Sequence, residues 1–352
     1  MRETDLPTEP EILCETRGHA GVITLNRPRA LNALTLGMVR GLAAALDAWE
    51  HDTAIRHVVV IGAGEKAFCA GGDIRLLHQL GKAGRIEESR GFWREEYVLN
   101  ARIKAYPKPY IALIDGIVMG GGVGVSLHGS HRVASERYLF AMPEVGIGFF
   151  PDVGATHALP RLPGATGTWL AVTGERVGQA DAMALGLATH AVPSSAMAGL
   201  LDALVAGQDV DAALAERAAT LPPPPLAPHR ALIDHAFSAP TVEAIIARLD
   251  EVAGTDPFAA RLLAAMAQKS PTSMKLALAQ MKAGGALSFA EAMRTEFRIV
   301  SRIATGPDFR EGVRAVIIDK DNKPAWQPAR LADVGSAMVE AYFAPLPDDL
   351  VI

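Results

Sequence analysis

Glu144 and Asp152 lie eight residues apart in AMPEVGIGFFPDVG (141–154), among apolar residues, glycines and prolines. Carboxylates are unfavourable there unless paired, protonated or engaged with a ligand. Two acids sharing an apolar pocket titrate as a pair with one pKa raised, which suits acid–base or nucleophilic work. A structural reading stands beside the chemical one. Glu144 follows Pro143 and would favour a helix N-terminus. Asp152 would cap a helix starting at VGATHAL, contributing about 1 kcal/mol.

Two glycine clusters follow apolar runs, GAGEKAFCAGGDI (62–74) and DGIVMGGGVGVSLHG (115–129). GAGEKA fits the G-x-G-x-x-A form of a dinucleotide fingerprint. That motif must open a helix, however, and Gly71 and Gly72 interrupt one within a turn. The second cluster contains neither a phosphate loop nor a nucleophile elbow. His128 and His131 have no third ligand at useful spacing and read as structural, so no metal is expected. Consecutive glycines open the backbone to close approach, and a helix starting there turns free N–H groups outward. Two such corners facing each other would make an oxyanion hole. Tight packing at Gly120, Gly121 and Gly122 is the equal alternative.

These groups need rigid elements behind them. Apolar runs predict strands at 21–26, 57–64, 108–116 and 131–142. Between the first two, Leu34, Met38, Leu42, Leu46 and Trp49 share one helical face, with Thr35 or Asn32 as cap. After LPPPPLAP (221–228) the chain reads as helical. Ser288 and Glu291 form a capping-box pattern, Phe289, Met293 and Phe297 a core stripe, and DFREGVRAVII (308–318) a further helix. The proline run reads either as a linker or as a rigid loop near the active site.

The 352 residues carry 34 basic and 39 acidic side chains, a net charge of −5, with no dense basic run, which argues against a nucleic-acid partner. No apolar run reaches the length of about 20 residues that spans a membrane. Two cysteines, Cys14 and Cys69, build no disulfide framework. The acidic start MRETDLPTEPEILCET lacks the features of a secretory or organelle leader, so a cytoplasmic protein is expected.

Four segments in order, NRPRALNAL (26–34), FCAGGDI (68–74), MGGGVGV (119–125) and AMPE (141–144), resemble the crotonase, or enoyl-CoA hydratase/isomerase, superfamily. FWREEYVLN (92–100), FAMPEVGIGFFPDVG (140–154), KSPTSMKLALAQM (269–281) and EFRIVSRIATGPDFREGVRAVIIDKDNKPAW (296–326) resemble its 3-hydroxyisobutyryl-CoA hydrolase branch over nearly the whole chain. The resemblance implies an α/β fold, a spiral of ββα turns over 10–220 with a mainly helical region over 221–352. It implies an acyl-CoA thioester substrate, with CoA part of the substrate and no further cofactor, and a trimeric or hexameric homo-oligomer.

By matching positions, the N–H groups of Gly72 and Gly121 would form the oxyanion hole. Ala30, Asn32, Ala33 and Leu34, with Gly71 and Asp73, would lie along the substrate. Glu96, Gly121, Glu144 and Asp152 would line the acyl pocket, although neighbouring Glu95 competes with Glu96 on local sequence. One departure matters. Hydratases of the superfamily use two glutamates, one matching Glu144 and the other falling at position 124, here Gly124. Glycine supplies no acid or base. The resemblance therefore implies thioester hydrolysis in valine breakdown, of 3-hydroxyisobutyryl-CoA or 3-hydroxypropionyl-CoA. Glu144 would be nucleophile or general base, Asp152 would orient Glu144 or the substrate's 3-hydroxyl, and Glu96 would accept a hydrogen bond from that hydroxyl. The alternatives are a hydratase or isomerase reaction and a non-catalytic CoA-binding protein.

Overall fold

The structure is a computed structural model and describes residues 9–352. Residues 1–8, the first half of the acidic N-terminal stretch, lie outside the described residues.

The chain enters through the hairpin β1 (Ile12–Arg17) and β2 (Ala20–Leu25), then climbs in turns of two strands each. β3 (His57–Gly62) is followed by β4 (Ala67–Cys69), β5 (Tyr110–Ile114) by β6 (Ile117–Met119), and β7 (His131–Ala134) by β8 (Leu139–Ala141). The first strand of each pair joins a six-stranded sheet, ordered β1-β2-β3-β5-β7-β10, closed by β10 (His190–Ala191). The second joins a four-stranded sheet, β4-β6-β8-β9, whose edge β9 (Arg176–Gly178) runs antiparallel to β8. This is the expected α/β spiral of ββα turns. Residues 57–60 and 110–114 are buried throughout and carry the β-branched and apolar side chains of strands covered on both faces.

Helix α1 (Leu36–Glu50) starts at Thr35, whose hydroxyl accepts the Met38 N–H at 3.2 Å. Its buried face is Met38, Val39, Leu42, Ala45, Leu46 and Trp49, as the 3.6-residue period requires, whereas Leu34, expected on that face, precedes the helix and bridges to Gly72. α2 (Ile74–Lys82) and α3 (Ile86–Lys104) follow β4, and the short α4 (Gly121–Gly124) follows β6.

The expected strand over 131–142 is two strands, because Ser135 turns the chain between them. Its hydroxyl accepts the Arg137 N–H at 3.0 Å and donates to Asp115 at 2.6 Å. The helix expected over 308–318 runs Pro307–Val313 and then widens into a π-turn, Arg314–Ile318. GAGEKA opens no helix: β3 ends at Gly62 and the chain turns straight into β4, which removes the dinucleotide reading. The proline run is tied down, with the Leu226 N–H donating to Asp181 at 2.9 Å.

In the C-terminal third, Ser288 and Glu291 form the full capping box of the helix Phe289–Ile303. Met293 and Phe297 are buried and Phe289 is half-buried. This helix packs against α3, and the helix Pro271–Gly284 packs against the short helical turn Ala155–Ala158. Both contacts bear on the site.

Candidate active site

β4, β6 and β8 are parallel neighbours, so their carboxyl ends deliver three successive loops to one place. The loop after β4 carries Gly71 and Gly72, the loop after β6 carries Gly120 and Gly121, and the loop after β8 carries Glu144. All five residues line one cavity of about 530 Å³, which Glu96 and Asp152 also line.

The glycine corners face each other. Leu34 and Gly72 form a parallel bridge, made by Leu34 N–H to Gly71 O and Asp73 N–H to Leu34 O, each 2.8 Å. That pattern engages the residues on either side of Gly72 and leaves its own N–H pointing away. Gly121 is the first residue of α4, where an N–H has no intrahelical acceptor. A methyl group built on Gly121 would stand 3.2 Å from Gly72 N. Two free N–H groups therefore flank one small space, the geometry of an oxyanion hole. Gly71 (φ +123°) and Gly120 (φ +47°) make the turns possible, since side chains rarely adopt either conformation. Packing explains Gly122 instead: its methyl would sit 2.2 Å from Cys69 O.

Gly124 has no room for the glutamate of a hydratase. A Cβ there would lie 2.8 Å from Asn100 Nδ2 and 2.8 Å from Val153 Cβ. The space a second acid would need is filled by α3 and by the turn after Asp152.

Three carboxyls converge instead. Glu144 is 6% exposed, and its Oε2 has no hydrogen-bond partner. Glu96, 2% exposed, points one unpartnered oxygen at Gly121, 2.6 Å from where a methyl would be. Asp152, 5% exposed, accepts a 2.8 Å hydrogen bond from the buried Tyr97 hydroxyl. Burial raises all three above the ordinary carboxylate range. Asp152 is pushed up to about 7, held back by the Tyr97 hydrogen bond. Glu144 and Glu96 are raised by burial first and by the charge of Asp152 second. Near neutral pH such a group holds fewer charges than carboxyls, so it can both take up and release a proton.

Around the acids the wall is aromatic. Trp93 stacks on Phe149 with centroids 5.8 Å apart, and Phe309 closes on Phe149 at 5.0 Å. Arg176 and Lys269 also stand in the wall, Lys269 beside Gly146, and burial lowers the Lys269 pKa.

The residues expected along the substrate divide. Gly71 lines the cavity, and Ala30 and Ala33 are exposed and half-buried on the neighbouring loop. Leu34 is fully buried beside Gly121. Asn32 is also fully buried. Its amide donates to Ala63 O and Ala67 O, both at 2.9 Å, and accepts the Arg27 N–H. It is the pin of the 27–33 loop, not a wall of the cavity and not the cap of α1. Asp73 caps α2 through the Leu76 N–H and pairs with Arg27 at 2.9 Å, and it too is outside the cavity wall. Glu95 is held by Arg40 at 2.7 Å on the outer face of α3, which leaves Glu96 as the inward acid.

The helix-end readings divide. Glu144 does open a helical turn after Pro143, the 3₁₀ turn Glu144–Ile147, but its side chain makes no cap and lines the cavity. Asp152 offers its carboxylate to Tyr97, and the helical turn Ala155–Ala158 is served by Glu296 from the far end of the chain. His128 donates to Val153 O at 2.6 Å and is lowered to about 4 by burial, a structural histidine. Among the described residues no group of three metal-ligating side chains occurs.

The family model described as enoyl-CoA hydratase/isomerase matches residues 20–343. The chain belongs to this family. Within it, curated relatives described as mitochondrial 3-hydroxyisobutyryl-CoA hydrolases are similar over most of their length. The Danio rerio protein is 46% identical, covering 96% of this chain and 90% of its own. The Homo sapiens protein is 44% identical, covering 96% and 89%. Two crystal structures share the fold closely. One, described as a carnitinyl-CoA dehydratase from Mycobacterium thermoresistibile, has a TM-score of 0.93 at 44% identity over 97% of this chain and 99% of its own. The other, described as an enoyl-CoA hydratase from Rhodobacter sphaeroides, has a TM-score of 0.91 at 40% identity over 97% and 100%.

Proposed function

We propose that the protein hydrolyses 3-hydroxyisobutyryl-CoA, with 3-hydroxypropionyl-CoA as a second substrate, to the free hydroxy acid and CoA. The observation that carries this reading is Gly124, where Asn100 and Val153 occupy the space of a hydratase's second glutamate while Asp152 enters the cavity from another loop. The names of the curated relatives point the same way.

In the proposed mechanism the thioester carbonyl oxygen sits between the N–H groups of Gly72 and Gly121. Loss of one such donor typically costs about 3–4 kcal/mol of transition-state stabilisation. Glu144 acts by one of two routes. It attacks the carbonyl carbon, expelling the thiolate, and water then opens the anhydride; or it takes a proton from the water that attacks directly. Either way the thiolate leaves as CoA and one water is consumed. Asp152 orients Glu144 and exchanges a proton with it. Glu96 accepts a hydrogen bond from the 3-hydroxyl. The core of 10–220 supplies these groups, the 30–34 segment runs along the CoA, and the 221–352 region braces the turn that carries Asp152. No metal or redox cofactor enters the reaction. A role in valine breakdown, a cytoplasmic location and a trimeric or hexameric assembly complete the proposal.

A second reading, hydration or dehydration of an enoyl-CoA, is favoured by the names of the two solved structures. The packed Gly124 speaks against it. Thiol release separates them: hydrolysis frees CoA thiol from 3-hydroxyisobutyryl-CoA, whereas hydration consumes the enoyl absorbance of crotonyl-CoA and leaves the thioester intact.

A further inference from the structure

The turn that carries Asp152 is strained. Val153 (φ +53°) and Gly154 (φ +91°) follow it in the left-handed region, and a β-branched residue is an outlier there. Such a turn persists only where its surroundings over-determine it. Three buried side chains do so. His128 donates to Val153 O at 2.6 Å. Gln280 donates to Pro151 O at 2.9 Å and to Thr156 Oγ1 at 2.8 Å. Glu296 accepts the Gly154 N–H at 2.7 Å through one oxygen and the Thr156 N–H at 2.8 Å through the other.

Glu296 is the unexpected member. It is fully buried, it lies outside the cavity wall, and among the described residues no cation pairs with it. Burial first and Asp152 second push it up to about 8. A buried acid beside another acid is an unfavourable way to end a helix if capping were all it did. The geometry explains the choice. Two N–H groups separated by one residue converge on one side chain, and only a carboxyl group offers an oxygen to each; an amide would turn an NH₂ toward one of them.

We propose that Glu296 is a positioning residue for Asp152, holding the 152–156 turn so that the Asp152 carboxylate stays on Tyr97 and in the cavity. The proposal rests on the hydrolase reading.

The test is a double-mutant cycle on thiol release from 3-hydroxyisobutyryl-CoA, with Asp152→Asn, Glu296→Gln and both together. Glu296→Gln is expected to lower kcat by about 10–100-fold with KM within about threefold of wild type. The double variant is expected to be within about twofold of Asp152→Asn alone, because the second change acts through a group already lost. Met293→Ala, buried on the same helix, should lower Tm without lowering kcat, which separates positioning from general destabilisation. Glu296→Asp keeps both acceptors and should regain part of the lost kcat; it replaces Glu296→Gln in the cycle if that variant is insoluble. Losses that multiply in the double variant, an unchanged kcat, or a kcat that falls equally in Met293→Ala would overturn the proposal. A wild type that releases no thiol refutes the hydrolase reading instead.

Discussion

Gly121→Ala separates the catalytic use of the glycine corner from its packing. Gly121 has a helical backbone, so alanine meets no torsional objection, only its neighbours. The new methyl would stand 2.6 Å from Glu96 Oε1, 3.1 Å from Leu34 Cδ1 and 3.2 Å from Gly72 N. Glu96 can swing away because its carboxylate is the end of a flexible chain. The methyl then stands beside the Gly72 N–H and shields it from a carbonyl. Removing one donor from an oxyanion hole costs about 3–4 kcal/mol, so kcat should fall by about 10²–10³-fold. Overpacking should cost about 1–3 kcal/mol of stability. The assay is thiol release beside a thermal melt.

Two other glycines bracket the result. Gly122→Ala drives its methyl to 2.2 Å from the Cys69 carbonyl, backbone against backbone, and should fail to fold. Gly37→Ala, whose nearest contact is 3.6 Å away, should keep full activity and gain about 0.4–1 kcal/mol. A folded Gly121→Ala enzyme with kcat within about threefold of wild type would refute the oxyanion assignment.

Other consequences follow from the acids. Tyr97→Phe removes the hydrogen bond that holds Asp152 down; such a bond to a charged group is worth about 1.5–3 kcal/mol, so kcat should fall about 10–100-fold and the acid limb of the pH–rate profile should move up. Asp152 is raised from 3.8 to about 7 on folding, so the folded chain binds the extra proton and stability is lost as pH rises through that window. Asp152→Asn should therefore raise Tm more near pH 8 than near pH 5, and equal gains at both would contradict the raised carboxyl. Isobutyryl-CoA, which lacks the 3-hydroxyl, leaves the buried Glu96 oxygen unmet and should lose about 10–100-fold in kcat/KM, a discrimination that shrinks in Glu96→Gln.

The long apolar strands were legible because runs such as HVVVIG exceed the length at which burial shows as pattern. The three-residue strands β4 and β6 were not, for they are too short to show a period, yet their carboxyl ends aim both glycine corners. Sequence also separates neighbours poorly. Glu95 and Glu96 differ by 100° around α3, and only the Arg40 pair on the outside tells which faces in. Tyr97 carried a readable signal, since Trp93, Tyr97 and Asn100 share with Glu96 one mixed face of α3. Glu296 carried none. It serves a turn 140 residues earlier in the chain, and the local sequence offered Asp152 as the obvious cap. The resemblance found the Asn32 segment, but burial shows that this residue holds the loop from inside.

The most direct measurement is CoA-thiol release from 3-hydroxyisobutyryl-CoA by wild type and Glu144→Gln, with crotonyl-CoA in parallel. The account predicts rapid release by wild type, a loss of about 10²–10⁴-fold in the variant, and no hydration of crotonyl-CoA. Thiol release untouched by the substitution, or consumption of crotonyl-CoA with its thioester intact, would contradict it.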